Sequence, residues 1–159
     1  MNCSPRSTRD SHELIVDTNI VFSAILYPYG NPGWLLALAC KRRMPVILVD
    51  YVVDELEHVF QAKGIPFRKV QDFLKTYDNI ELHSTDCIMT EEFEQARACV
   101  PDRKDQPLIA YALHRLNRGF DCMLVTGDKE LCMPPVRDLL KGRVKSASEI
   151  LKAWQTGHG

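Results

Sequence analysis

No apolar run in this chain approaches the roughly 18 residues that cross a bilayer, which excludes a membrane-spanning reading. The opening stretch, Met1 to His12, has no apolar signal-peptide core and is expected to form a flexible leader. The six cysteines include no CxxC pair and no zinc-like spacing, and a chain of this size needs no disulfide framework. A reducing, cytoplasmic setting is therefore the expectation. There is no Walker-type phosphate loop, no internal repeat and no low-complexity tract. An overall basic excess is missing too, since the net charge is −1. Cations are concentrated locally instead, at Lys41-Arg42-Arg43, Arg103-Lys104, Arg115 with Arg118, and Lys141, Arg143 and Lys145. Such clusters read first as solvated faces and second as nucleic-acid contacts. Lone histidines such as His58 and His114 read as surface or packing residues, and Cys99 and Cys122 as small buried hydrophobes.

What is present is an ordinary globular composition: 159 residues, 45% hydrophobic and 26% charged, enough for one domain over residues 13–155. Glu13 to Asp17, with Leu14, Ile15 and Val16 apolar, Pro45 to Val49 and Cys122 to Thr126 read as short buried strands, with a weaker one at Asn79 to His83 and an edge strand at Val144-Lys145. Between them the spacing of apolar residues predicts helices. One runs from Asp17 through Ile25 and one from Trp34 to about Arg43, the proline- and glycine-rich segment Pro28 to Gly33 breaking the two apart. A third is capped by Asp50 and stops at Gly64, and a fourth starts at Pro66. Further helices are predicted from Thr90 as N-cap to Cys99, from about Asp105 to Asn117, and after Ser146, whose spacing to Glu149 is that of a capping box. Met133-Pro134-Pro135 reads as a loop. Strands alternating with helices predict an α/β chain: a three-layer α/β/α sandwich around a mainly parallel sheet.

Acidic residues recur where these strands end and helices begin. Asp17 comes directly after Leu14-Ile15-Val16, and Asp128 after Leu124-Val125-Thr126-Gly127. Glu55 sits early in the helix after the second strand, and Asp105 opens the helix carrying Leu108-Ile109-Ala110. In open α/β sheets, the carboxyl edge of the strands is where ligands bind. Each acid could simply cap a helix. Several carboxylates gathered at one edge, however, repel by roughly 1 kcal/mol per pair about 4 Å apart even in water. A hard cation such as Mg²⁺ or Mn²⁺ resolves that repulsion, because it takes oxygen ligands. The expectation is a metal-dependent nuclease in which Asp17, Glu55, Asp105 and Asp128 are both the catalytic residues and the metal ligands. Asn19, Asp102 and Thr126 are secondary candidates: Asn19 for its amide, Asp102 as a competitor to Asp105, and Thr126 for its hydroxyl. Glu130 is a more distant one.

Ile15-Val16-Asp17-Thr18-Asn19, Asp50 to Glu57, Pro101 to Ala112 and Leu124 to Leu131 together resemble, in order, the motifs of the PIN-domain family, most closely its VapC-like toxins. The resemblance spans roughly Leu14 to Leu151. It implies a PIN-like sandwich, a Mg²⁺- or Mn²⁺-dependent ribonuclease acting on RNA, a homodimer, and an antitoxin partner that occupies the active-site groove. It departs from the pattern at Gln106-Pro107, where relatives often carry another aspartate before the helix. Two other readings compete. One is a catalytically degenerate binding or scaffold protein whose acids only cap helices. The other is phosphotransfer through Asp17, disfavoured because Asn19 is not an acid.

Overall fold

The computed structural model describes residues 12–157, so the expected leader lies outside the described residues except for His12, which opens the first strand. Each strand leads into two helical segments, save the last. β1 (His12–Val16) is followed by α1 (Thr18–Leu26) and α2 (Asn31–Lys41), and β2 (Val46–Val49) by α3 (Asp50–Ala62) and α4 (Arg68–Thr76). β3 (Ile80–His83) precedes α5 (Thr90–Cys99) and α6 (Gln106–Asn117). β4 (Asp121–Val125) leads into a 3₁₀ turn (Lys129–Cys132) and α7 (Pro134–Leu139), and β5 (Val144–Lys145) into α8 (Ala147–Gln155).

The strands form one sheet in the order β3-β2-β1-β4-β5, with every neighbouring pair parallel. Parallel strands covered on both faces are apolar along their whole length. That is why Ile15, Val16, Ile47, Leu48, Val49, Leu124 and Val125 are all completely buried, whichever face each side chain takes. The flanking layers are helical: α1 packs on α2, α3 and α4, α2 on α8, and α5 on α6 and α7. The strand order grows outward from β1 through β2 to β3, then reverses to add β4 on the other side. Between β1 and β4 lies the switch point at which such sheets open a crevice. The register makes that crevice level, because Val16 pairs with Val125 and the two strands end together.

Several helix starts differ from the sequence expectation, each for a local reason. α2 begins at Asn31 rather than Trp34, because Pro32 falls in the first turn, where a missing N–H costs nothing. Gly33 is tied to this position: a Cβ there would stand 2.3 Å from the Pro28 carbonyl oxygen. Asp50 is the first residue of α3, not its cap; its carboxylate accepts from the Tyr51 N–H at 2.7 Å and from the Thr85 N–H at 3.2 Å and hydroxyl at 3.0 Å. At α5 the N-cap is Met89 rather than Thr90, and Glu92 accepts from the Met89 N–H at 2.9 Å. Pro134 and Pro135 are not a loop: they are the first two residues of α7. The Ser146–Glu149 capping box is present, with Ser146 N–H donating to Glu149 at 2.9 Å and Glu149 N–H to Ser146 at 3.2 Å. No helix among the described residues is long and apolar enough to cross a membrane.

Candidate functional site

Because β1 and β4 end at the same height, the residues after them leave the sheet side by side. The Asp17 N–H still donates to the Val125 carbonyl at 3.2 Å. Asp17 then caps α1, its Oδ1 accepting from the Ile20 N–H at 3.0 Å, while its Oδ2 accepts from the Thr126 hydroxyl. The Thr126 Oγ1 in turn accepts the Asp128 N–H at 3.0 Å, and the Asp128 Oδ1 accepts the Glu130 N–H at 2.9 Å. One buried hydroxyl thus links the two strand-end aspartates. Glu55 reaches in from α3, where its Oε1 accepts from the hydroxyl of Thr18.

The remaining acids come from the loop before α6. Asp102 accepts the Lys104 N–H at 2.9 Å, and the Asp105 N–H donates to the Asp102 carbonyl at 3.1 Å, folding the loop into a tight turn. Asp105 stands at the N-cap position of α6, yet its side chain makes no capping bond. Its carboxylate is therefore not spent on the helix. Gln106, where the sequence departs from the family pattern, is structural: its Nε2 donates to the Val100 carbonyl at 3.1 Å.

These segments enclose a cleft of about 230 Å³ lined by Asp17, Asn19, Glu55, Asp102, Asp105 and Asp128, with Tyr51 and Lys104 on its walls. Asp17, Glu55, Asp105 and Asp128 are brought together, and so are the secondary candidates Asn19 and Asp102. Thr126 lies buried behind Asp17. Glu130 is exposed and does not line the cleft. Sequence reasoning missed Thr18 and Tyr51. A hydroxyl that meets a glutamate 37 positions away leaves no local signal.

Electrostatics record the crowding. Burial raises the Asp105 carboxyl to about 6, and the charges of Asp102, Asp128, Glu55 and Asp17 push it the same way. Burial also raises the Asp17 carboxyl above the ordinary range, with the charge of Asp128 adding to it; hydrogen bonds from Thr126, Ile20 and Gly127 pull it partly back. Among the described residues none of the five acids forms an ion pair.

Comparison with known proteins completes this geometry. A family model described as the PIN domain matches residues 15–148. The chain belongs to the PIN-domain family. Its fold is similar to that of VapBC2 from Rickettsia felis, solved bound to a DNA fragment from its promoter: the TM-score is 0.64 at 17% identity, covering 84% of this chain and 98% of that one. VapBC from Salmonella typhimurium, solved bound to DNA, gives a TM-score of 0.62 at 17% identity, covering 85% and 98%. PAE2754 from Pyrobaculum aerophilum gives 0.60 at 13% identity, covering 98% and 96%. A search of curated protein sequences finds no significant match.

The donor set suits a hard cation in kind, being carboxylates and an amide with no thiol or imidazole. Among the described residues, no three histidine, cysteine, aspartate or glutamate side chains are already arranged to hold an ion. Asp17, Glu55, Asp102 and Asp128 each accept a hydrogen bond from a hydroxyl or a backbone N–H. Asp105, which has no such bond from its side chain and carries the largest carboxylate shift, is the acid a cation would relieve most.

Proposed function

We propose that this PIN-domain protein is a cytoplasmic, Mg²⁺- or Mn²⁺-dependent ribonuclease that hydrolyses phosphodiester bonds, and that it is the toxin of a toxin–antitoxin pair. The observation that carries the reading is the convergence of Asp17, Glu55, Asp102, Asp105 and Asp128 on one cleft at the switch point, without an ion-paired cation among them. Membership of a family whose members are generally nucleases supports hydrolysis. Likeness in fold to the VapBC structures supports an antitoxin partner; a homodimer belongs to the same proposal and rests on the family resemblance alone.

In this reading Asp17 and Asp128 hold the principal ion, and Glu55 and Asp105 hold a second ion or orient water; Asp102 stands beside Asp105 for the same role. A bound divalent ion lowers the pKa of water and shields phosphate charge. The chain supplies the rest. Thr126 fixes Asp17 and Asp128 relative to each other, Thr18 orients Glu55, and Asn19 presents an amide beside the strand-end acid. Asp105, raised to about 6 by burial and the surrounding acids, is ionised at neutral pH and would accept a hydrogen bond from the attacking water.

The second reading, a scaffold whose acids cap helices, is favoured by one observation: Asp17 and Asp128 both accept backbone N–H groups at helical starts. One experiment separates the two. Labelled single-stranded and structured RNAs are incubated with Mn²⁺, Mg²⁺ or EDTA, using wild type beside Asp17→Asn. Metal-dependent cutting that disappears in the variant is the expected result. No cutting, with calorimetry detecting no metal binding, leaves the scaffold.

A further inference from the structure

The carboxylate cleft is not closed on the side of Glu55. A second hollow of about 590 Å³ continues from it along α3, and Tyr51, Glu55, Val59 and Lys104 line both. This shared wall carries Glu55 together with two hydrogen-bond donors; Asp54 lines the hollow beyond it. Ionised carboxylates only accept hydrogen bonds, so they offer nothing to a phosphate except repulsion. Tyr51 and Lys104 are donors. A phenol ordinarily titrates at about 10, so Tyr51 is an O–H donor at neutral pH. Lys104 forms no ion pair among the described residues, although acids line the cleft beside it. Its backbone is held by Asp102, which fixes the root of the side chain.

Farther along the hollow stands His58, one turn beyond Glu55 on α3. Its Nδ1 lies 2.8 Å from the Asp54 carbonyl oxygen. A carbonyl can only accept, so Nδ1 carries the proton and Nε2 is the free edge of the ring. Val59 and Ala62 add apolar surface next to it.

We infer that this hollow seats the nucleotide adjoining the scissile phosphate of a single RNA strand, with Lys104 and Tyr51 donating to the neighbouring phosphodiester and His58 with Val59 holding the base. The inference rests on the nuclease reading and extends it to a substrate subsite. Tyr51 and Lys104 line both the cleft and the hollow, whereas Asp17 and Asp128 line only the cleft, so a strand running from one into the other passes these donors at the linkage next to the cut. An unpaired cation and a neutral phenol supply what phosphate recognition needs and the acids cannot.

The test is steady-state cleavage of a short single-stranded RNA with Mg²⁺ or Mn²⁺, in two forms. One is all phosphodiester; the other carries a single neutral methylphosphonate at a linkage adjoining the mapped cut, placed on either side in turn. Lys104→Ala is expected to raise KM about tenfold with kcat little changed, the loss of one charge-assisted contact. Lys104→Arg restores it, and Tyr51→Phe has the same effect to a smaller degree. The neutral linkage raises the wild-type KM by a similar factor and leaves Lys104→Ala no worse. His58→Ala raises KM only for substrates long enough to fill the hollow. Lys104 and His58 are exposed, so unchanged melting temperatures confirm that these variants fold. An unchanged KM in Lys104→Ala, or a neutral-linkage penalty that it still suffers in full, overturns the subsite while leaving the nuclease standing. Wild type that cuts no RNA with either metal overturns both.

Discussion

The two ends of the same central strands treat their acids in opposite ways. At the start of β1, Glu13 meets the Arg115 guanidinium, Nε donating to Oε1 at 3.2 Å, and both side chains are largely buried. At the start of β4, Asp121 binds Arg143 and stands 2.7 Å from His12. At the far ends, Asp17 and Asp128 have hydroxyl and amide partners but no cation, and three more acids join them. An acid matched to a cation across the fold holds elements together. Acids massed without one raise each other's proton affinity and cost stability. The comparison separates what holds this molecule together from what it offers to a ligand.

The sharpest way to break the contrast is to neutralise an acid at the unpaired end. Asp17→Asn or Asp128→Asn is expected to lower RNA cleavage at least about 100-fold, since loss of even an outer-shell metal partner costs up to that much. The same change raises the metal-free melting temperature, because asparagine still caps a helix and removes a repelling charge. A clear fall in metal-free stability in both variants assigns these acids to capping alone.

At the paired end the sign reverses. Arg115→Ala strands the buried Glu13 carboxylate and is expected to cost about 3 kcal/mol by urea denaturation, with or without Mg²⁺. A smaller effect belongs to Asp105. Folded, it holds its proton up to about 6, whereas the ordinary value is 3.8. Between those values the folded chain binds more protons than the unfolded one, so stability falls as pH rises, and the whole penalty is present above about pH 6. Asp105→Asn therefore gains thermal stability over wild type near neutral pH and loses that gain below about pH 4, which a melting series across pH reads directly. Saturating Mg²⁺ should shrink the gain at neutral pH. The smallest change is expected at Arg143, whose side chain is 42% exposed: Arg143→Met costs at most about 1 kcal/mol in the same denaturation.

Apolar runs ending in Asp17 and Asp128 were readable because a buried parallel strand is hydrophobic throughout, and a charge at its end must lie at the sheet edge. The order of the motifs carried the family in the same way. Helix starts were harder. Pro32, Pro134 and Pro135 look like breakers in one dimension, yet a first turn has no use for their missing N–H groups. Asp50 and Thr90 had capping chemistry, but the chain turns one residue earlier, at Val49 and Met89. Pairings across the fold left no trace at all. His114, expected as a surface or packing residue, is buried with its Nδ1 2.8 Å from Glu92, whose second oxygen takes the Asn117 amide at 2.8 Å. Arg115 and Arg143, read first as solvated faces and second as nucleic-acid contacts, serve Glu13 and Asp121 instead.

The Thr126–Asp17 bond has a consequence for the order of events in time. It closes a loop of 109 positions, and β1 cannot gain its second neighbour before β4 has been made. Parallel pairings over such sequence separations are slow steps, because chain entropy must be given up before the contact forms. A nascent chain can build β1, β2 and β3 early, but the two strand-end acids meet only when most of the polypeptide exists. Any activity of this cleft therefore waits until β4 has been made and has docked beside β1.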